Sequence, residues 1–215
     1  MLRAFWYATI IFLTRQSFRL IGGISVKGQE KVPSTGPVII APNHLSYIDP
    51  PAVAGVSPRR LSFMAKEELF KIPIFGPFIR SAGAFPVQRG ASDAHAIRKA
   101  KELLQNGKAL LLFPEGKRGD GKTLLPVSSG VAMLAKRTKA KIVPVGIIGT
   151  HHMLPKNAKK LRRTKIQVIF GQPFTYDEVA IGDSEQEKRK TFIARLEKDI
   201  VELCHQGNLF LKLPN

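Results

Sequence analysis

"IIAPNHLSYIDPP", residues 39–51, sets a histidine and an aspartate five positions apart directly after an apolar run. Val38 to Ala41 predict a short buried strand, and Pro42 biases Ala41 toward an extended backbone. Pro50 and Pro51 suit the first turn of a helix, where a missing N–H leaves nothing unsatisfied. The strand therefore ends near Pro42, a loop carries His44 to Ile48, and a helix begins near Asp49. Strand-to-helix junctions are where α/β proteins often place their chemistry. Taken alone, the stretch slightly favours a satisfied loop histidine and an Asp49 that only caps the helix. The rest of the chain changes that balance.

On either side, strand and helix patterns alternate. Strands are predicted at 24–27, 60–65, 83–89, 109–113, 141–149 and 165–171. Helices are predicted at 92–107, with Ser92 as cap and Gly107 as stop, and at 130–138. A last helix opens on the capping box Ser184/Glu187 and carries Phe192, Ile193, Leu196, Ile200 and Leu203 on one face. This order predicts a single α/β domain over 25–215, with a mixed, mainly parallel sheet flanked by helices. Residues 1–24 form a separate N-terminal helix. Its "FWYATIIFL" (5–13) is strongly apolar but shorter than the roughly 20 residues a bilayer span needs. No small-residue cleavage pattern follows it. We expect a helix over 2–21 lying in the membrane interface, with Trp6 and Tyr7 at headgroup depth. A helix packed on the core is the rival for the same pattern.

Charge points to the partner. Lys and Arg number 34 against 16 Asp and Glu, a net charge of +18. No acid precedes Glu30, and none lies between Asp120 and Asp177. Base-reading helices, zinc-finger spacing and aromatic RNA-binding signatures are all missing, so an anionic membrane surface is the better expectation than nucleic acid. Cys204 is the single cysteine, which excludes a disulfide framework and a cysteine-based zinc site.

With a parallel sheet, several polar residues fall on one edge. His44 and Asp49 follow the second strand, Arg89 ends "GAFPVQR", and Glu115, Gly116 and Arg118 follow "ALLLF". Lys66, just after a strand, is a further phosphate candidate, with a plain surface lysine as its rival. There is no GxSxG elbow, Walker loop or GxGxxG loop. That set suits a base-assisted attack by a substrate group without a covalent enzyme intermediate. The apolar segment Leu69 to Ile79 serves an acyl groove, a lipid contact or plain core. His151 and His152 read as surface residues of the basic face, since adjacent histidines lack helical ligand spacing.

His44-x4-Asp49, "GAFPVQR", "FPEGKRG" and "IVPV" together resemble the four ordered motifs of the glycerolipid acyltransferases, most nearly those acting on 1-acylglycerol 3-phosphate (lysophosphatidic acid). The likeness extends over nearly the whole chain after residue 24. It departs at Lys117, where Thr is usual, at Gly119, where Ser is frequent, at Gln88, where Asp or Asn is common, and at Val127-Ser128-Ser129. The resemblance implies transfer of a fatty acyl group from a thioester, on coenzyme A or acyl carrier protein, to the free sn-2 hydroxyl, giving phosphatidic acid. It implies no metal and no other cofactor. His44 would be the base and Asp49 its orienting partner; Arg89, Arg118 and Lys66 would hold phosphate. Glu115 would bond the glycerol or hold an arginine, and Gly116 would let the backbone come close. The rivals are the same chemistry on glycerol 3-phosphate or another lysolipid, and a non-catalytic basic module binding nucleic acid or anionic membrane through residues 121–176.

Overall fold

The computed structural model of the chain describes residues 2–87 and 94–214, with side chains from residue 5 onward. The strands are β1 (Ile24–Lys27), β2 (Val38–Pro42), β3 (Leu61–Lys66), β4 (Ala84–Val87), β5 (Ala109–Leu111), β6 (Lys141–Ile148) and β7 (Ile166–Phe170). They form one sheet in the order β1-β7-β6-β2-β5-β3-β4. From β6 to β4 every neighbouring pair is parallel. β7 runs antiparallel to β6, and β1 follows β7 in parallel. The sheet is thus mixed and mainly parallel, as the alternating pattern predicts.

The helices are α1 (Leu2–Leu20), α2 (Asp49–Val56), α3 (Phe75–Ser81), α4 (Ala94–Gln105), α5 (Ser129–Thr138), α6 (Thr150–Met153), α7 (Tyr176–Val179) and α8 (Glu185–Gln206). Alternate residues of the central strands feed opposite faces. Ile39, Leu110 and Ile142 pack with Ala100, Leu134 and Phe192 of α4, α5 and α8. Val38, Ile40, Leu111 and Val143 pack with Phe18 of α1 and Ala52 and Val53 of α2. Ser184 and Glu187 close the capping box that opens α8, and Ser128 caps α5 by accepting from Gly130 N–H. Ser92, expected to cap α4, lies outside the described residues. The one-turn helices α6 and α7 carry too few residues for a period to show in sequence.

α1 is packed on the protein along part of its circumference and open along the rest. Ile10 and Phe18 are buried, and Thr14 and Phe18 lie against Gly55 of α2. Phe5, Trp6, Phe12, Leu13 and Leu20 stay exposed. Tyr7 is half-buried, and its hydroxyl accepts the Leu61 N–H at 3.3 Å. Arg60 covers the Tyr7 ring, which links α1 to the start of β3.

β6 lies close against α8. A Cβ on Gly146 would sit 2.8 Å from the Leu203 carbonyl carbon and 3.0 Å from the Cys204 nitrogen, both backbone atoms of α8. Gly146→Ala should therefore force strand and helix apart, at about 1–3 kcal/mol. For a chain of this length that is a fall of roughly 2–12 °C in Tm. An unchanged thermal melt would show that the contact yields without strain.

Candidate active site

Parallel register brings the site together. β2 pairs with β5, with Ile40 opposite Leu111, so the loops leaving these two strands emerge side by side. β6 flanks β2 on the other side, and β3 flanks β5. The β2–β6 ladder continues one step past Pro42 through a side chain. The Asn43 amide donates to Ile147 C=O at 3.0 Å, and its carbonyl accepts Ile147 N–H at 2.7 Å. Asn43 is fully buried and imitates a strand residue while its own backbone turns away. His44 is released from the sheet at that point.

Asp49 then takes hold of the loop. His44 Nδ1 lies 2.8 Å from Asp49 Oδ2. The same oxygen accepts the backbone N–H groups of Leu45 at 2.7 Å and Ser46 at 2.8 Å. Asp49 is fully buried at the start of α2, where the helix dipole favours negative charge. An acceptor-only carboxylate at Nδ1 assigns the proton to that nitrogen, which leaves the Nε2 lone pair free as a base. His44 stacks on Phe113, with ring centroids 4.0 Å apart, and this fixes the plane of the imidazole.

Glu115 stands behind this pair. One carboxylate oxygen accepts His44 N–H at 2.6 Å, and the other accepts Leu125 N–H at 2.9 Å. Gly119 N–H closes the loop onto His44 C=O at 2.8 Å. Both Glu115 oxygens thus hold backbone, where the sequence pattern suggested a bond to glycerol or to an arginine. Burial pushes the Glu115 carboxyl up to about 7, against the pull of the two N–H donors, with Asp49 and Asp120 adding to the rise.

Arg118 is held by neither neighbouring acid. Asp120 accepts the N–H groups of Lys122 and Thr123, while the Arg118 guanidinium lies 3.7 Å from the centre of the exposed Tyr47 ring. A stacked arginine keeps its in-plane donors free for a ligand. Gly116 turns with φ of 67°, and a Cβ there would meet nothing within 4 Å, so its backbone faces open space. Lys66 ends β3, half-buried beside the end of β4. Arg89 and Gln88 lie outside the described residues.

Sequence reasoning missed Asn43, Tyr47 and Phe113. Asn43 and Tyr47 are ordinary loop residues, and Phe113 the last residue of a strand expected over 109–113 that ends at Leu111, until the fold sets them against Ile147, Arg118 and His44. It also misjudged His151, which is half-buried rather than a surface residue: its ring lies against Gly121. Burial lowers its pKa, helped by His152, against an opposite pull from Asp49. Among the described residues, no group of three His, Cys, Asp or Glu is clustered as a metal ion would need.

A His–Asp pair at the carboxyl edge of a mainly parallel sheet, with an arginine on the adjoining loop, is an arrangement suited to group transfer. Residues 23–148 match the acyltransferase family, and the chain belongs to it. It is 31% identical over 156 residues to the 1-acyl-sn-glycerol-3-phosphate acyltransferase of Bacillus subtilis, an alignment covering 72% of this chain and 75% of that protein. It is 32% identical over 163 residues to the Streptococcus pneumoniae enzyme of the same name, covering 74% of this chain and 58% of that protein. The crystal structure of the 1-acyl-sn-glycerophosphate (LPA) acyltransferase PlsC from Thermotoga maritima superposes with a TM-score of 0.78 at 30% identity, over 94% of this chain and 80% of that one.

The Glu115 contacts carry a pH signature. Its folded value of about 7 exceeds the ordinary 4.5, so the folded chain holds the proton more tightly than the unfolded one. Its contribution to stability is complete below about 4.5 and is lost as pH rises through 7. The Tm gap between the native chain and a Glu115→Gln variant should be widest in acid and should shrink as pH passes 7. A gap constant from pH 4 to 8 would show that Glu115 titrates alike in the folded and unfolded chain. Glu115→Ala leaves two N–H groups without their acceptor, at about 1–3 kcal/mol each, and should melt earlier at every pH.

Proposed function

We propose that this chain transfers a fatty acyl group from an acyl thioester to the sn-2 hydroxyl of 1-acylglycerol 3-phosphate, giving phosphatidic acid. The observation that carries the reading is the His44–Asp49 contact beside Arg118 at one sheet edge. Family membership and the shared name of the relatives support it.

An alcohol is a weak nucleophile at neutral pH. His44 Nε2 accepts the proton of the sn-2 hydroxyl as its oxygen attacks the thioester carbonyl carbon. The C–S bond then breaks, and the imidazolium returns the proton to the departing thiolate. The products are an ester and a free thiol. Positioned general-base catalysis of this kind contributes roughly 10²–10⁴ in rate. Asp49 holds the reactive tautomer and stabilises the imidazolium, as the aspartate of a Ser-His-Asp triad does, with the substrate hydroxyl in the place of serine. Arg118, with Arg89 and Lys66, binds the phosphate of the acceptor. The donor thiol is coenzyme A or the phosphopantetheine of acyl carrier protein; both are anionic and suit a chain of charge +18.

We place the protein at an anionic membrane surface on the cytoplasmic side, with α1 lying in the interface. No described helix is long and apolar enough to cross a membrane. The exposed Phe5, Trp6, Phe12, Leu13 and Leu20 support the interfacial reading, since a helix packed only on protein would not leave them open. The basic run partly folds back on protein: Lys136 pairs with Glu185, and Lys139 with Asp177 at 2.7 Å. Lys156, Lys159, Lys160, Arg162 and Arg163 follow on the loop after α6, with exposed positions throughout it.

His44→Ala should abolish turnover while leaving vesicle binding intact, which a sedimentation assay beside a thiol-release assay would read. Turnover that survives the substitution would remove His44 as the base. Arg118→Ala should lower kcat/KM for the acceptor by roughly 10- to 100-fold, the worth of one charge-assisted bond. The donor KM should hold, and lysine should rescue in part. Tyr47→Ala should act in the same direction with a smaller loss, because it frees Arg118 without removing it. Kinetics varying each substrate in turn, over an acceptor panel that includes glycerol 3-phosphate, test the reading. Equal loss for donor and acceptor, with a lowered Tm, would make Arg118 structural.

A further inference from the structure

Between β3 and β4 the chain makes a 3₁₀ turn over Glu67–Lys71, a tight bend, and then α3. Ile72, Ile74, Phe75 and Phe78 are exposed along this segment, Ile74 to 88%. Ile74 has φ of 66° and ψ of −49°, and Phe75 N–H donates to Pro73 C=O at 2.7 Å around it. This is a γ-turn of the form that requires positive φ, rare and strained for any residue with a Cβ. A β-branched residue is among the least suited to it. The turn is nonetheless firmly built. Gly76 is buried so closely that a Cβ would fall 2.3 Å from Phe70 C=O. Arg80 lies 5.0 Å over the Phe70 ring.

Glycine would occupy position 74 without strain, and a polar residue would suit its exposure. The chain holds isoleucine instead, so neither backbone nor packing accounts for it. The segment is also tied to α1. Trp6 Nε1–H donates to Ser81 Oγ at 3.0 Å, and Arg60 reaches Ser81 C=O at 3.3 Å while covering Tyr7. The exposed end of α1, with Phe5 and Trp6, therefore adjoins α3. Cations border the apolar tip: Lys71 and Arg80 are exposed on it, and Arg60 lies behind. Glu67 is engaged by Lys71 at 3.7 Å, and Glu68 is the other acid between residues 61 and 87.

We propose that the 72–78 turn is a second membrane-inserting element, with Ile74 at its tip. It enters an anionic bilayer together with the exposed face of α1. The inference rests on the interfacial reading of α1 given above and goes beyond it. An apolar tip on a rigid turn with a cationic collar is the pattern a lipid surface accepts. The segment leaves from the end of β3 at Lys66, on the same edge as His44 and Arg118. Insertion there turns the site toward the layer that holds a lysolipid acceptor, so the acceptor need not leave the membrane.

Full-length chain and phosphatidylcholine vesicles, about a quarter of whose lipid is phosphatidylglycerol, test this by co-sedimentation. Ile74→Gly with Phe78→Ser should weaken partition by roughly 10-fold or more, the share expected from two large apolar side chains. Ile74→Gly alone should leave Tm unchanged or higher, so that weaker binding cannot be read as unfolding. An Ile74→Cys variant labelled with an environment-sensitive dye reports directly. Cys204 is buried, its thiol pushed up to about 12, and it stays unlabelled. The dye should shift to the blue on adding vesicles.

A native chain that fails to bind vesicles would sink the membrane reading as a whole. A native chain that binds, with unchanged partition and no dye shift in the variants, would overturn this inference alone. Unchanged partition with a raised KM for long-chain substrates would assign the turn to an acyl groove instead. A larger oligomer for the native chain than for the Ile74→Gly/Phe78→Ser variant, by light scattering without lipid, would assign it to self-association.

Discussion

One carboxylate oxygen, Oδ2 of Asp49, organises the site. It accepts from His44 Nδ1, Leu45 N and Ser46 N within 2.8 Å, and it does so from a fully buried position. A buried carboxylate without donors would be costly; here three donors at the first turn of a helix offset that cost at Oδ2, while Oδ1 is buried with no partner among the described residues. The same three contacts turn the loop after β2, set the histidine tautomer and begin α2. The orientation of the imidazole and the chain reversal therefore depend on one group, and neither can be altered separately.

Around that group the fold supplies supports that are themselves unreactive. Asn43 extends the β2–β6 ladder past Pro42, so His44 leaves the sheet from a fixed point. Glu115 ties the His44 and Leu125 backbones together across neighbouring loops, and Phe113 backs the imidazole ring. A general base must be held within hydrogen-bond reach of its proton for the rate gain to appear. Asn43, Phe113 and Glu115, on the loops after β2 and β5, hold His44 in this way, with β6 supplying the Ile147 backbone as anchor. Burial of Glu115 in this role carries a penalty on its ionised form, visible in its raised pKa.

The surface follows a separate logic. α1 buries Ile10, packs Phe18 against α2 and leaves Phe5 and Trp6 open beside α3, which has its own exposed Phe75 and Phe78. Core packing and lipid contact are usually read as rivals for an apolar helix, yet a helix has enough circumference for both. The cations set around these residues, within a chain of net charge +18, give the open face an electrostatic preference as well as an apolar one.

Much of this was legible in the residues. Strand and helix alternation points to a mainly parallel sheet, because a helix between two strands supplies the crossover that parallel pairing needs. Pro42, Pro50 and Pro51 bracket the His44 loop through fixed φ and missing N–H groups, and the Ser184/Glu187 box marks the start of α8 through local hydrogen bonds. These are short-range effects, and a sequence determines them by itself. The order β1-β7-β6-β2-β5-β3-β4, with its single antiparallel pair β6–β7, is a long-range matter, since no local pattern reports which edge a strand joins. The roles of Asn43, Tyr47, Phe113 and Glu115 fall on the same side of that line. Asn43 and Ile147 are separated by 104 positions, and His44 and Glu115 by 71. Only the packed sheet brings such groups within 3 Å, and until it does, a glutamate that staples two loops cannot be distinguished from one that binds a substrate.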